Sequence, residues 1–228
     1  MARVLPYVEQ EAVYKLANVS DTTNLDANAT VLSAIARPMA FLRCPTDITP
    51  GTRTDAANIA GVTVGLTSYK GVAGSNWGNG ETRWRNGTPE GPFPSPTGTS
   101  DHVGVINGNG IFFRTDYLRP LKLLAITDGT SNTFMIGEAI GMKDIHTSWP
   151  YSNNVCATCG IGPNSLRTNS TEYAANDWGN VYSFRSMHSG GLQFANADAS
   201  VRFVRDTIPL ANYRAMCTIT GGEVVNPD

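Results

Sequence analysis

At 228 residues the chain is long enough to bury a core of its own without depending on staples. Only 16% of it is charged and the formal net charge is −2, with the basic residues scattered. That excludes the concentrated basic face that a nucleic-acid or anionic-membrane partner requires. No run approaches the roughly 18 consecutive apolar residues of a membrane span.

The first predicted element is helical. Tyr7, Val8, Val13, Tyr14 and Leu16 form an imperfect stripe over residues 6–17, and Pro6 falls in the first turn, where its missing N–H costs nothing. Asn28 or Thr30 caps a second short helix over residues 31–36, which Arg37-Pro38 stops. Met39-Ala40-Phe41-Leu42 reads as a strand entering the turn Cys44-Pro45-Thr46-Asp47. Residues 71–110 are dense in glycine and proline yet carry Trp77, Trp84 and Phe93, which predicts a long ordered loop rather than a packed element or free disorder.

Gly110-Ile111-Phe112-Phe113 resumes strand character, and residues 118–126 have helix-like spacing. A dense turn, Asp128-Gly129-Thr130-Ser131-Asn132, precedes a buried strand over residues 133–138. Residues 143–180 form a second irregular region. The clearest local prediction is a hairpin of Leu192-Gln193-Phe194-Ala195-Asn196 and Val201-Arg202-Phe203-Val204. A two-residue loop at Asp198-Ala199 sets Phe194 opposite Phe203 and Asn196 opposite Val201, but strains Ala199, because such loops want glycine there. A longer loop over 197–200 relieves that strain.

Several groups are candidates for chemistry. Cys156-Ala157-Thr158-Cys159 reads first as a short local disulfide, with free thiols or half of a zinc site as alternatives. Asp128, Ser131 and Asn132, with Glu138 nearby, present oxygens suited to calcium, and the same string also serves as turn and capping chemistry. His188 at the hairpin entrance could work with Asp198 or Glu138. Asp198, however, lies about 15–20 Å away along the strand, so the plainer reading is an imidazole bonding nearby backbone. Trp77 and Trp84 offer a ligand-stacking surface, or else anchor their loop to the core along with Trp149 and Trp178. There is no Gly-x-Ser-x-Gly elbow, and three histidines are too few to force a metal or triad reading.

Taken in order, five segments resemble the pilin-like family abundant in planctomycetes, domain of unknown function 1559. They are Val4-Leu5-Pro6-Tyr7-Val8-Glu9-Gln10; Phe41-Leu42-Arg43-Cys44-Pro45-Thr46-Asp47; Ile126 to Thr133 with Gly137-Glu138; His188-Ser189-Gly190-Gly191 with Asp198; and Thr218 to Val225. Ala199 replaces the glycine of the family's His-x9-Asp-Gly signature, and Arg43 interrupts its Phe-Leu-Cys-Pro block. The resemblance implies a pseudopilin-like head whose full-length protein carries a cleaved leader and an apolar anchoring helix upstream of the Leu-Pro-Tyr block. It further implies an extracytoplasmic place in the cell envelope or at the cell surface, and no established reaction.

The expected fold is α+β: one pilin-like head over residues 1–228, with an antiparallel β-sheet packed against N-terminal helical segments and long irregular loops near 71–110 and 143–180. The expected role is structural and non-enzymatic, with self-association or other envelope proteins as partners and calcium as the one candidate cofactor. The alternative is an extracellular module that grips a polysaccharide or small solute through the Gly/Trp-rich loop. Contact with a membrane is expected only through the upstream helix.

Overall fold

The computed structural model describes residues 1–20, 28–77, 107–114, 120–152, 155–165 and 183–223. The architecture is α+β. A five-stranded sheet has the order β5-β3-β4-β6-β7, with β3 (Tyr69–Val72), β4 (Phe134–Glu138), β5 (Cys156–Ala157), β6 (Gly191–Asn196) and β7 (Val201–Arg205). All neighbours run antiparallel except β3 and β5, which are parallel. A separate two-stranded pair joins β1 (Thr52–Arg53) to β2 (Val64–Gly65). Among the described residues the α-helices are α1 (Glu11–Leu16), α2 (Ala29–Ile35) and the C-terminal α3 (Leu210–Ala215).

The N-terminal stripe is divided in two. A 3-10 helix runs over Ala2–Val8, and Glu9 then takes a left-handed conformation (φ 60°) that separates it from α1. Asn28 is the cap of α2, its side-chain oxygen accepting from the Val31 amide at 3.1 Å. These segments do not pack on the large sheet as expected. Leu5, Val13, Val31, Ile35 and Leu42 form a core of their own with Val64 and Trp149, so the N-terminal helices cover the β1–β2 pair. The large sheet instead buries Phe134, Leu192 and Phe194 against Tyr213 and Met216 of the C-terminal segment.

Two predicted strands are something else. Ala40–Leu42 is a 3-10 turn, in which the Leu42 amide donates to the Met39 carbonyl and the Arg43 amide to the Ala40 carbonyl instead of to a neighbouring strand. Residues 111–112 lie beside β3 through two amides that share the Val72 carbonyl, without a ladder. Residues 118 and 119 of the helix expected over 118–126 lie outside the described residues, and the rest of that span holds a short 3-10 turn, Leu123–Ala125. The strand expected over 133–138 is β4. Gly137 in it is required by close approach: a Cβ there would stand 2.4 Å from Phe194 Cε1 and 2.5 Å from Phe184 Cδ1. Phe194 stacks on Phe134 with ring centroids 4.2 Å apart and meets Phe184 edge-on at 5.0 Å.

The hairpin forms with its register shifted by one residue from the expected pairing. Gln193 opposes Phe203 and Phe194 opposes Arg202, so Phe203 is 44% exposed and Phe194 packs with Phe134, Phe184 and Tyr213 instead. The cause is the turn. The Ala199 amide donates to the Asn196 carbonyl, the Asn196 amide donates to the Ser200 carbonyl, and Ala199 sits at φ 69°. That is a three-residue loop ending in a left-handed residue, the place usually held by glycine. The strain at Ala199 therefore persists in the longer loop. Replacing Ala199 by Gly is expected to stabilise the fold by about 0.5–1 kcal/mol, the left-handed penalty of alanine less the extra unfolded entropy of glycine. Denaturant unfolding of the two proteins measures this.

The cysteines pair differently from the local reading. Cys159 is bonded to Cys217, with Cα atoms 6.3 Å apart, while Cys156 and Cys44 are buried thiols. Strand alternation explains the choice. Ala157 and Cys159 belong to the core that holds Cys217, whereas Cys156 faces a different cluster with Ala73, Trp77 and Ile161. The bond closes a loop with a sequence separation of 58 residues, for which chain entropy gives about 4 kcal/mol. A Cys159→Ser, Cys217→Ser double variant is expected to lose stability of that order, and peptide mapping of the unreduced protein should recover the Cys159–Cys217 pair.

Candidate functional site

Residues from three of the five family-like blocks, Cys44 with Asp47, Glu138 and His188, are brought together by one loop and two strand ends. Asp47 anchors the loop. Its carboxylate side chain, 3% exposed, accepts from the Thr49 amide at 3.0 Å, from the Thr49 hydroxyl, and from the Ser68 hydroxyl at 2.7 Å. Arg43 stands 3.5 Å from it and also donates to the Thr49 carbonyl at 2.5 Å. The Ser68 amide donates in turn to the Leu42 carbonyl, and the Ala139 amide to the Ser68 carbonyl. The turn Cys44-Pro45-Thr46-Asp47 is thereby fixed over the place where β3 begins and β4 ends.

Glu138, the last residue of β4, is 2% exposed. Its Oε2 accepts from the Gln193 amide of β6 at 2.7 Å, and its Oε1 lies 3.2 Å from His188 Nε2. His188 Nε2 is also 3.5 Å from Cys44 Sγ. Cys44 Sγ is 3.1 Å from the Thr46 hydroxyl, and the backbone of His188 is held by its amide donating to Ser186 Oγ at 3.1 Å. Ligand atoms of Cys44, Glu138 and His188 thus all lie within 4.8 Å of one another. Cys44 and Glu138 are buried, and the His188 side chain is 32% exposed. Tyr69, opposite Glu138 in the β3–β4 register, borders the cluster. Burial, and after it the negative influence of Cys44 and Glu138, pushes its phenol above the usual range.

Other predicted site residues are placed elsewhere. The Asp128 carboxylate accepts from the Gly221 and Gly222 amides at 2.7 and 2.9 Å, so it is surrounded by donors and holds down the C-terminal segment. Asn132 turns its amide back to the Asp128 carbonyl, at 3.4 Å. Ser131 lies in the same exposed turn. Glu138 stands at the opposite end of β4 from this turn, about 13 Å along the strand, and does not join them. Asp198 accepts from the Ser200 amide and hydroxyl. Trp77 is 3% exposed and packed with Ala73, Cys156 and Ile161, so it offers no stacking face. Trp84 and Trp178 lie outside the described residues. His188 does bond a neighbour, but through the side chains of Cys44 and Glu138 rather than through the nearby backbone expected for its imidazole.

Sequence reasoning links His188 with Glu138 but links neither with Cys44, which it treats as a turn residue. The available signal is that each of the three belongs to a separate family-like block. A second buried polar pair carries no such signal: Lys70 of β3 bonds Asp144, with side chains 0% and 4% exposed. Burial lowers the Lys70 ammonium against the opposing pull of Asp144.

The chain belongs to the family described as protein of unknown function (DUF1559), whose model matches residues 1–211. No curated protein and no solved structure matches it.

The Asp47 anchor carries a pH dependence. Burial alone would raise its carboxyl, but the hydrogen bonds from Thr49 and Ser68 and the charge of Arg43 outweigh it and hold the group below its ordinary range. A depressed folded value stabilises the protein above the unfolded value of about 3.9, and this contribution disappears as pH falls through the folded value. Asp47→Asn is expected to cost about 1.5–3 kcal/mol at neutral pH and to flatten the acid limb of the stability curve below pH about 4. Urea unfolding across that window measures both effects.

Proposed function

We propose that this chain is a non-enzymatic, pseudopilin-like structural head, carried on an envelope-anchored or filament-forming protein and associating with copies of itself or with other envelope proteins. The observation that carries this reading is where its motif residues are used. Asp47 fastens a loop to the sheet, Asp128 fastens the C-terminal segment, and Glu138 receives the β6 amide. Use of the blocks in this way supports the scaffold reading. The Cys159–Cys217 bond supports an oxidising, extracytoplasmic setting. Val4 and Tyr7, 41% and 87% exposed on the N-terminal 3-10 segment, supply apolar surface for assembly.

The alternative, a glycan- or solute-binding module, depends on paired tryptophans, and the burial of Trp77 weighs against it. In cells making the full-length protein, a photo-crosslinking residue at Tyr7 is expected to capture further copies or envelope proteins. The head is expected to be protease-accessible from outside the cytoplasmic membrane. Recovery in the cytosol with Cys159 and Cys217 reduced would contradict the reading, as would stoichiometric glycan binding.

A further inference from the structure

We propose that Cys44, Glu138 and His188 form a binding site for a single zinc-class divalent ion, joining the Cys44 loop, the end of β4 and the entrance to the hairpin.

The geometry separates this from a catalytic arrangement. In a nucleophile–base–carboxylate triad the imidazole uses both nitrogens, one for the nucleophile and one for the carboxylate. Here Cys44 Sγ and Glu138 Oε1 both approach the same nitrogen, His188 Nε2, at 3.5 and 3.2 Å. Three ligand atoms within 4.8 Å of one another, two of them meeting the third on one side, can close around a shared ion. The two spacings to the imidazole nitrogen fit as well, and the sulfur and the carboxylate lie within 4.8 Å, so binding draws those two together. With Zn–S about 2.3 Å and Zn–N and Zn–O about 2.0–2.1 Å, tetrahedral angles place sulfur about 3.5 Å and oxygen about 3.3 Å from the nitrogen.

The supporting contacts are those a metal site needs. Glu138 Oε2 is fixed by the Gln193 amide, which leaves Oε1 for the ion, and the Thr46 hydroxyl stands 3.1 Å from the sulfur. His188, with its side chain 32% exposed, leaves the cluster open to solvent on one side, which gives an ion a way in. A thiolate and an imidazole select a borderline ion and disfavour calcium or magnesium, so the chemistry differs from the oxygen-only site expected at Asp128. The site is independent of the structural-head reading. A scaffold without the ion, or a metal-binding protein that is not an envelope component, would each decide only one of the two.

The test uses the 228-residue chain with its disulfide intact and Cys156→Ser, so that Cys44 is the only free thiol. After chelator treatment, zinc titration is expected to give one equivalent bound. Cobalt should give tetrahedral absorption with a thiolate-to-metal charge-transfer band, and zinc should protect Cys44 from alkylation. Cys44→Ser should abolish the charge-transfer band. His188→Ala should weaken zinc binding by more than about 100-fold, beyond the loss that changes around a metal's ligands cause. If either variant fails to fold, judged by near-ultraviolet circular dichroism, protection of Cys44 in the parent protein decides. Unaltered alkylation in excess zinc, or a cobalt complex without the charge-transfer band, overturns the proposal.

Discussion

A carboxylate at the buried end of a central strand is the constraint on which the arrangement depends. Glu138 cannot be left without partners at 2% exposure, because an unpaired buried charge costs several kcal/mol. It obtains them from two directions: the amide of Gln193 on the neighbouring strand, and the imidazole of His188 just before that strand begins. Satisfying Glu138 therefore fixes where the chain enters the C-terminal hairpin. The Cys44 loop closes over the same point, held by Asp47 and Ser68. Segments far apart in the chain thus meet at the end of β4, two of them through Glu138 and the third through Asp47.

Much of this was legible at the level of elements. The cap at Asn28, the buried strand ending at Glu138 and the two strands of the hairpin all have local causes, and all are present. What was not legible depended on partners distant in sequence. The register of the hairpin followed from Ala199 accepting a left-handed conformation, which propensity argues against. Phe194 found Phe134 across the sheet rather than Phe203 within the hairpin. The N-terminal helices covered β1 and β2, strands of two residues each that carry almost no periodic signal.

The cysteines show the same limit. Spacing suggested Cys156 with Cys159, but strand alternation sent those side chains into different clusters and gave Cys159 to Cys217. Cys44 carried no pattern beyond its turn, and its proximity to His188 became visible only with the fold in hand. The Asp128 turn, which offered oxygens for calcium, closes on the amides of Gly221 and Gly222 instead. In each case the residue type was informative and its partner was not.

The account stands on Glu138 acting as the common tie, and amide hydrogen exchange in a Glu138→Ala variant tests that most directly. The predicted result is joint loss of protection at the Gln193 and His188 amides, while the amides pairing β6 with β7 and the Asp47-held turn keep theirs. Unchanged protection at both amides would mean that the entrance to the hairpin is fixed without Glu138, and would contradict the account.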